Sequence, residues 1–233
     1  MTHSMKRNPS NTNQHIYSEP YFLGSPVIYH RGDLIENYLL RIHECLTQAL
    51  ALHARICVMR FDLYVPEHFF QGALQDNSLI SKFFSSLQAK IDHAQAQSRK
   101  AGHRVHDADL RKIWTREISE NGRVHFHVAI IVNHDAFAFI GRFDLDSNNM
   151  YARIHEAWAS ALSMYPIDIK GYVHIPDQPT YLVIRGEEAS FNDAFYRMSY
   201  FAKLKTKQYQ KGFHTFGCSR PRRREQDQLG QLL

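Results

Sequence analysis

The sequence predicts an α+β domain with a central antiparallel sheet and helices mainly on one face. Three observations lead there. RICVMRFDLYVP (55–66) and VHFHVAIIVN (124–133) carry the apolar patterning of core strands. The run LRKIWTREIS is joined to VHFHVAIIVN by ENGR, where Asn121 and Gly122 form a strong hairpin signal because both tolerate positive φ. The element order is helix, strand, helix, hairpin, helix, short strands, helix, which suits an antiparallel sheet with helices stacked on it.

Taken in order, residues 1 to about 25 lack periodicity and read as a polar, flexible N-terminal arm without the apolar core of a signal peptide. Asp33 is placed to cap a helix running to about His53, with Ile35, Leu39, Ile42 and Leu46 along one face. The next strand turns Cys57, Met59, Phe61 and Leu63 to the core, with Arg60 and Asp62 opposite, and stops at Pro66. Residues 78–99 repeat apolar side chains at Ile80, Phe83, Phe84, Leu87 and Ile91, as a second helix does. After the hairpin, Asn148 can cap a helix carrying Ile154 and Trp158. Short strands at 171–175 and 181–185 and a last helix at about 191–205 complete the domain.

The chain has 233 residues and a formal net charge of +5. That length suits one domain with extensions, and the positive balance favours polyanionic partners. No stretch is long and apolar enough for a membrane span. Cys45, Cys57 and Cys218 are far apart and form no CxxC pair, which points to reduced thiols and a cytoplasmic location. Positive charge is concentrated near the C-terminus. Lys203, Lys205, Lys207, Lys211, Arg220, Arg222, Arg223 and Arg224 are interleaved with Tyr209, Phe213 and Phe216. Cations in such a run contact phosphates while the rings stack on bases.

Two segments carry chemistry. In VHFHVAII, residues 125 and 127 share one side of a strand, while Phe126, Val128, Ile130 and Val132 share the other. The apolar side supplies the packing, so His125 and His127 are available to share a cation. A third ligand comes from Glu117 or from Asp62. A three-residue hairpin loop sets Glu117 across from His125 on the same side, whereas a two-residue loop turns it away. In FNDAFYRMSYFAKLK, Phe191, Phe195, Met198 and Ala202 form one helical stripe, and Tyr196, Tyr200 and Lys203 form the other. A rigid element that presents a tyrosine hydroxyl beside a lysine suits a nucleophile, since free tyrosine, with a pKa near about 10, attacks poorly at neutral pH.

The segment REISENGRVHFH resembles the motif of rolling-circle replication initiators of the HUH endonuclease superfamily: a glutamate, an ENG-type turn, then a His-hydrophobic-His strand. Tyr200-x-x-Lys203 resembles the tyrosine motif of the same superfamily. Together with RFDLYVP, GYVHIP and FGCSR, these pieces are similar over about residues 55–219 to the inovirus-type initiator family, also described as the YagK/YfjJ C-terminal domain family.

The resemblance implies a nuclease domain over 26–219, followed by a basic, polar tail at 220–233. It implies Mg²⁺ or Mn²⁺ on Glu117, His125 and His127, and attack by Tyr200 to give a 5′-phosphotyrosine, with Lys203 balancing charge. Tyr196 would be a second nucleophile or a stacking residue. The expected partner is single-stranded DNA or an origin hairpin. The chain has no GxxxxGK[ST] motif, so a host helicase or supercoiling would unwind the duplex. The competing expectation is a non-catalytic protein of HUH-like fold that binds origin or hairpin DNA.

Overall fold

The computed structural model describes residues 6–69, 76–119, 122–205, 207 and 214–220. The fold is α+β, built on a six-stranded antiparallel sheet. Its central pair is β6 (Arg55–Tyr64) and β8 (Val124–Asn133), with β7 (Arg111–Ile118) on the other side of β8. β11 (Phe216–Cys218) borders β7, while β9 (Val173–His174) and β10 (Thr180–Ile184) pair with β6.

Four helices cover the sheet, and they divide between its two faces. Cys57, Met59, Phe61 and Leu63 of β6 join Phe126, Val128, Ile130 and Val132 of β8 in one buried cluster. Helices α2 (Ser78–Lys100) and α3 (Met150–Leu162) close it with Ile80, Phe83, Leu87, Ile154 and Trp158. On the opposite face, α1 (Glu36–Leu52) and α4 (Glu188–Ser199) cover Ile56, Val58, Ala129 and Ile131 with Leu39, Ile42, Leu46, Phe195 and Met198. The expectation of helices mainly on one face is thus refined to two on each. The reason lies in the central strands: β6 and β8 carry apolar residues on both sides, and each set needs a cover.

Several boundaries move. The flexible arm expected over residues 1–25 instead carries the short strands β1 (Arg7–Asn8), β2 (Asn11–Tyr17) and β3 (Tyr21–Phe22) and the start of β4 (Ser25–Pro26). β2 pairs with β5 (Leu34–Ile35), and the buried Asn8 Nδ2 donates to Gln14 Oε1 at 2.8 Å. Polar strands of this kind carry no apolar period: their backbones pair, and the buried Asn8 and Gln14 side chains satisfy each other. β5 also takes the place expected for the start of the first helix. Asp33 therefore caps nothing; its carboxylate accepts from Lys6 and Ser18. The third helix is capped by Asn149 rather than Asn148, its side chain accepting from the Ala152 amide at 3.0 Å. Trp158 ties that helix to the sheet by donating its indole N–H to the Tyr64 carbonyl.

At the sheet edge, Gly217 sits opposite Trp114. A Cβ there would lie 2.4 Å from the Trp114 indole, so only glycine lets β11 pass over the ring. No described helix is long and apolar enough to cross a membrane.

Candidate metal centre and its tyrosine

The hairpin register decides which residues meet. Ser119 N–H donates to the Arg123 carbonyl, and Gly122 takes φ +74°. This is the three-residue connection, and it sets Glu117 directly across from His125. On the other flank of β8, Asp62 lies across from His127 and Tyr64 across from His125. The histidine side of β8 is not open: His127 is 7% exposed, and Glu117 and Asp62 are buried beside it.

Glu117, His125 and His127 each offer one ligand atom, and these atoms lie within 4.8 Å of one another. Glu117 Oε2 is 3.4 Å from His127 Nε2 and 3.8 Å from His125 Nε2. The imidazoles meet edge to face, with centroids 4.9 Å apart, and Tyr64 stacks on His125 at 5.6 Å. Asp62, the other candidate third ligand, sits behind the cluster. His127 Nδ1–H donates to Asp62 Oδ1 at 2.6 Å, which fixes the tautomer and turns Nε2 toward Glu117. This is the usual arrangement of an orienting carboxylate behind a ligating histidine.

The electrostatics follow from burial and pairing. Burial alone would raise the Glu117 pKa, but the bond from His127 and the charge of Lys207 hold it well below the carboxylate range. Burial opposes protonation of His127, yet Asp62 and Glu117 on its two nitrogens raise its pKa above the ordinary histidine value. His125 goes the other way, lowered by burial and by the His127 charge. Asp62 is lowered against its own burial, mainly by the bond from His127 and the charges of His127 and Arg60.

Two lysines change roles. Lys207, expected to contact DNA, is wholly buried, and its Nζ donates to Glu117 Oε1 at 2.7 Å. It is a structural counter-ion of the cluster. The last helix ends sooner than expected, and α4 gives way to a 3₁₀ turn at Tyr200–Ala202. Lys203 leaves that turn with extended backbone and bridges to Leu34. Tyr200 and Lys203 remain neighbours, because residues three apart eclipse in a 3₁₀ turn. Lys203 Nζ stands 5.3 Å from the Tyr200 ring centre, and Arg60 Cζ stands at 6.0 Å.

Tyr200 reaches the cluster. Its ring meets His127 edge-on at 5.5 Å, while Phe201 stacks on His127 at 6.1 Å. Burial, then the Glu117 charge, raises the Tyr200 pKa, and Arg60 works against them. Tyr196 lies one turn earlier, lining a surface groove with Tyr181 and Arg197.

Among the other expected DNA contacts, Lys205 and Arg220 are exposed, while Lys211, Arg222, Arg223, Arg224, Tyr209 and Phe213 lie outside the described residues. Phe216 is half-buried in β11 and stacks on Tyr38 at 4.3 Å, so its ring serves packing. Arg60 is the site residue that sequence reasoning left without a role. Its position two before Asp62 on the same strand side was the available signal.

These features define an α+β domain with a two-histidine, one-carboxylate cluster and a tyrosine against its inner histidine. Residues 17–219 match the YagK/YfjJ C-terminal domain, and the chain belongs to that family. It is 33% identical over 202 residues to YfjJ of Escherichia coli (strain K12), covering 81% of this chain and 96% of that protein. It is 28% identical over 200 residues to YagK of the same strain, covering 81% and 94%. Both relatives are described as uncharacterized proteins. No solved structure matches the chain.

Proposed function

We propose that this protein is a metal-dependent endonuclease and strand transferase of the HUH type, which nicks and rejoins single-stranded DNA through Tyr200 to start rolling-circle replication. The observation that carries the reading is the meeting of two independent motifs. The Glu117, His125 and His127 cluster and Tyr200 come from distant segments, yet the Tyr200 ring meets His127 of the cluster at 5.5 Å.

Two imidazoles and a carboxylate form a mixed donor set, which suits Mn²⁺ better than Mg²⁺ because imidazole is a softer ligand than the oxygens Mg²⁺ prefers. Glu117, His125 and His127 would hold the ion, which when bound supplies Lewis-acid polarisation of a phosphate. Asp62 keeps the Nδ1 proton of His127 and so leaves Nε2 as the ligating atom. Lys203 and Arg60 flank the Tyr200 ring, and the Arg60 charge offsets part of the burial and Glu117 charge that hold the phenol neutral. In the transfer, a bond forms between Tyr200 Oη and phosphorus while the bond from phosphorus to the 3′ oxygen breaks. The phenol proton leaves and the 3′ oxygen takes one up, giving a 5′-phosphotyrosine and a primer 3′-hydroxyl. The reverse attack by a 3′-hydroxyl rejoins the strand.

One observation favours the binding-only reading. Lys207, Glu117, His127 and Asp62 form a chain of alternating charge whose members pair with one another. Such a network could persist as a structural element in a DNA-binding protein of the same fold.

A labelled single strand incubated with protein and MnCl₂ separates the two readings. The endonuclease gives an SDS-resistant adduct that disappears with EDTA and with Tyr200→Phe. Binding without adduct, across a panel of origin-like strands and hairpins, supports the second reading.

A further inference from the structure

Beside Tyr200 the surface holds a groove of about 640 Å³ that the proposed chemistry leaves unused. β10 contributes Tyr181, α4 contributes Asp193, Tyr196 and Arg197, and the connection before β10 contributes Pro176 and Asp177. Both tyrosines are half-buried, so their rings are fixed while part of each remains open to the groove. Among the described residues Arg197 is paired with no carboxylate, although two line the same groove.

Arg60 lies nearby, on the strand that pairs with β10, and its backbone N–H donates to the Pro179 carbonyl. It is 5% exposed, and its one carboxylate contact, to Asp62 Oδ1, is long at 3.4 Å. That oxygen already accepts from His127 at 2.6 Å. Arg60 Nε is buried with no partner. Arg60 Cζ stands 6.0 Å from the Tyr200 ring centre, and Arg197, three residues before Tyr200, is the guanidinium that lines the groove and can meet an anion there. Asp177 and Asp193 at the rim would repel a bare anion, but they accept hydrogen bonds from the amino groups of bases.

We infer that the groove is a nucleotide subsite for single-stranded DNA: a base stacks on Tyr181 and Tyr196 while its phosphate meets Arg197. The assignment rests on the single-strand reading above and goes beyond it, since it makes Tyr196 a stacking residue rather than a second nucleophile.

The test is fluorescence anisotropy of a 20-nucleotide, mixed-sequence, fluorescein-labelled single strand with the full chain in EDTA, at several NaCl concentrations. Tyr181→Ala and Tyr196→Ala are each expected to weaken binding at least about fivefold, the low end of base–aromatic stacking. Tyr196→Phe keeps the ring and is expected to restore affinity to within about twofold of wild type. Arg197→Gln is expected to lower the salt slope by about 0.7, one phosphate contact on a single strand. It also carries the test if a tyrosine variant fails to fold by circular dichroism. Affinity and salt slope unchanged in all folded variants would overturn the inference, as would a wild type that does not bind the strand. The two proposals fail separately. A normal Mn²⁺-dependent adduct with variant-insensitive binding rejects the subsite alone, and variant-sensitive binding without any adduct rejects nicking alone.

Discussion

Replacing Lys207 with methionine tests whether the buried charge network is as tightly coupled as its geometry requires. The Lys207 side chain is 0% exposed and Glu117 is 3% exposed, and 2.7 Å separates Nζ from Oε1. Methionine keeps most of the volume but removes the donor. Glu117 Oε1 is then left buried without its partner, while Oε2 keeps His127 at 3.4 Å and His125 at 3.8 Å. Breaking a buried pair by removing one partner costs about 3–5 kcal/mol, and the remaining histidine contacts place this site near the lower value, about 3 kcal/mol. For a domain of this size that is a loss of roughly 6–12 °C in Tm. Urea unfolding followed by fluorescence of the buried Trp114 and Trp158 measures it. The double variant Glu117→Gln/Lys207→Met is expected to recover part of the loss, because no uncompensated charge remains. MnCl₂ is expected to stabilise Lys207→Met more than the wild type, since Oε1 is then free for the ion. A Lys207→Met protein within about 0.5 kcal/mol of wild type, the range of an ordinary surface change, would refute the reasoning.

Four further outcomes follow from the structure. The His127 pKa is raised in the fold, so its contribution to metal-free stability is fully present below about pH 6.5 and is lost as pH rises through the folded value. Ligation needs the Nε2 proton gone, so the thermal shift produced by MnCl₂ is expected to grow between about pH 6 and 8, and a shift that shrinks would contradict the assignment. Gly217→Ala places a Cβ 2.4 Å from the Trp114 ring and is expected to cost about 1–3 kcal/mol by overpacking, read from urea unfolding. Asn149→Ala removes the side-chain cap of α3 and is expected to cost about 1 kcal/mol without altering adduct formation.

Much of the site was legible because it sits on regular strands. Alternation along β8 put His125 and His127 together, and the loop length was the single unknown that decided whether Glu117 joined them. The role of Asp62 was not legible: the register of β6 against β8, which sets it across from His127, is fixed by packing of both sheet faces rather than by any local signal. Lys207 was misread because a lysine in a basic run looks solvated. Only a long-range contact with Glu117, ninety residues away in sequence, shows it to be buried. Tyr196 and Tyr200 shared a helical stripe on paper. The change to a 3₁₀ turn at Tyr200 gives them different surroundings, one against His127 and the other in the groove with Tyr181. The N-terminal strands were hidden by their polar composition, since Asn8 and Gln14 satisfy one another rather than contributing an apolar face.

The most direct measurement is to map the covalent link. The adduct formed with MnCl₂ and a single-stranded origin-like substrate is digested with protease and nuclease, and the modified peptide is sequenced by mass spectrometry. The nucleotide is expected on Tyr200, joined through a 5′ phosphate, with the released fragment ending in a 3′-hydroxyl. A nucleotide on Tyr196, a 3′-phosphate link, or cleavage with no modified peptide would contradict the account.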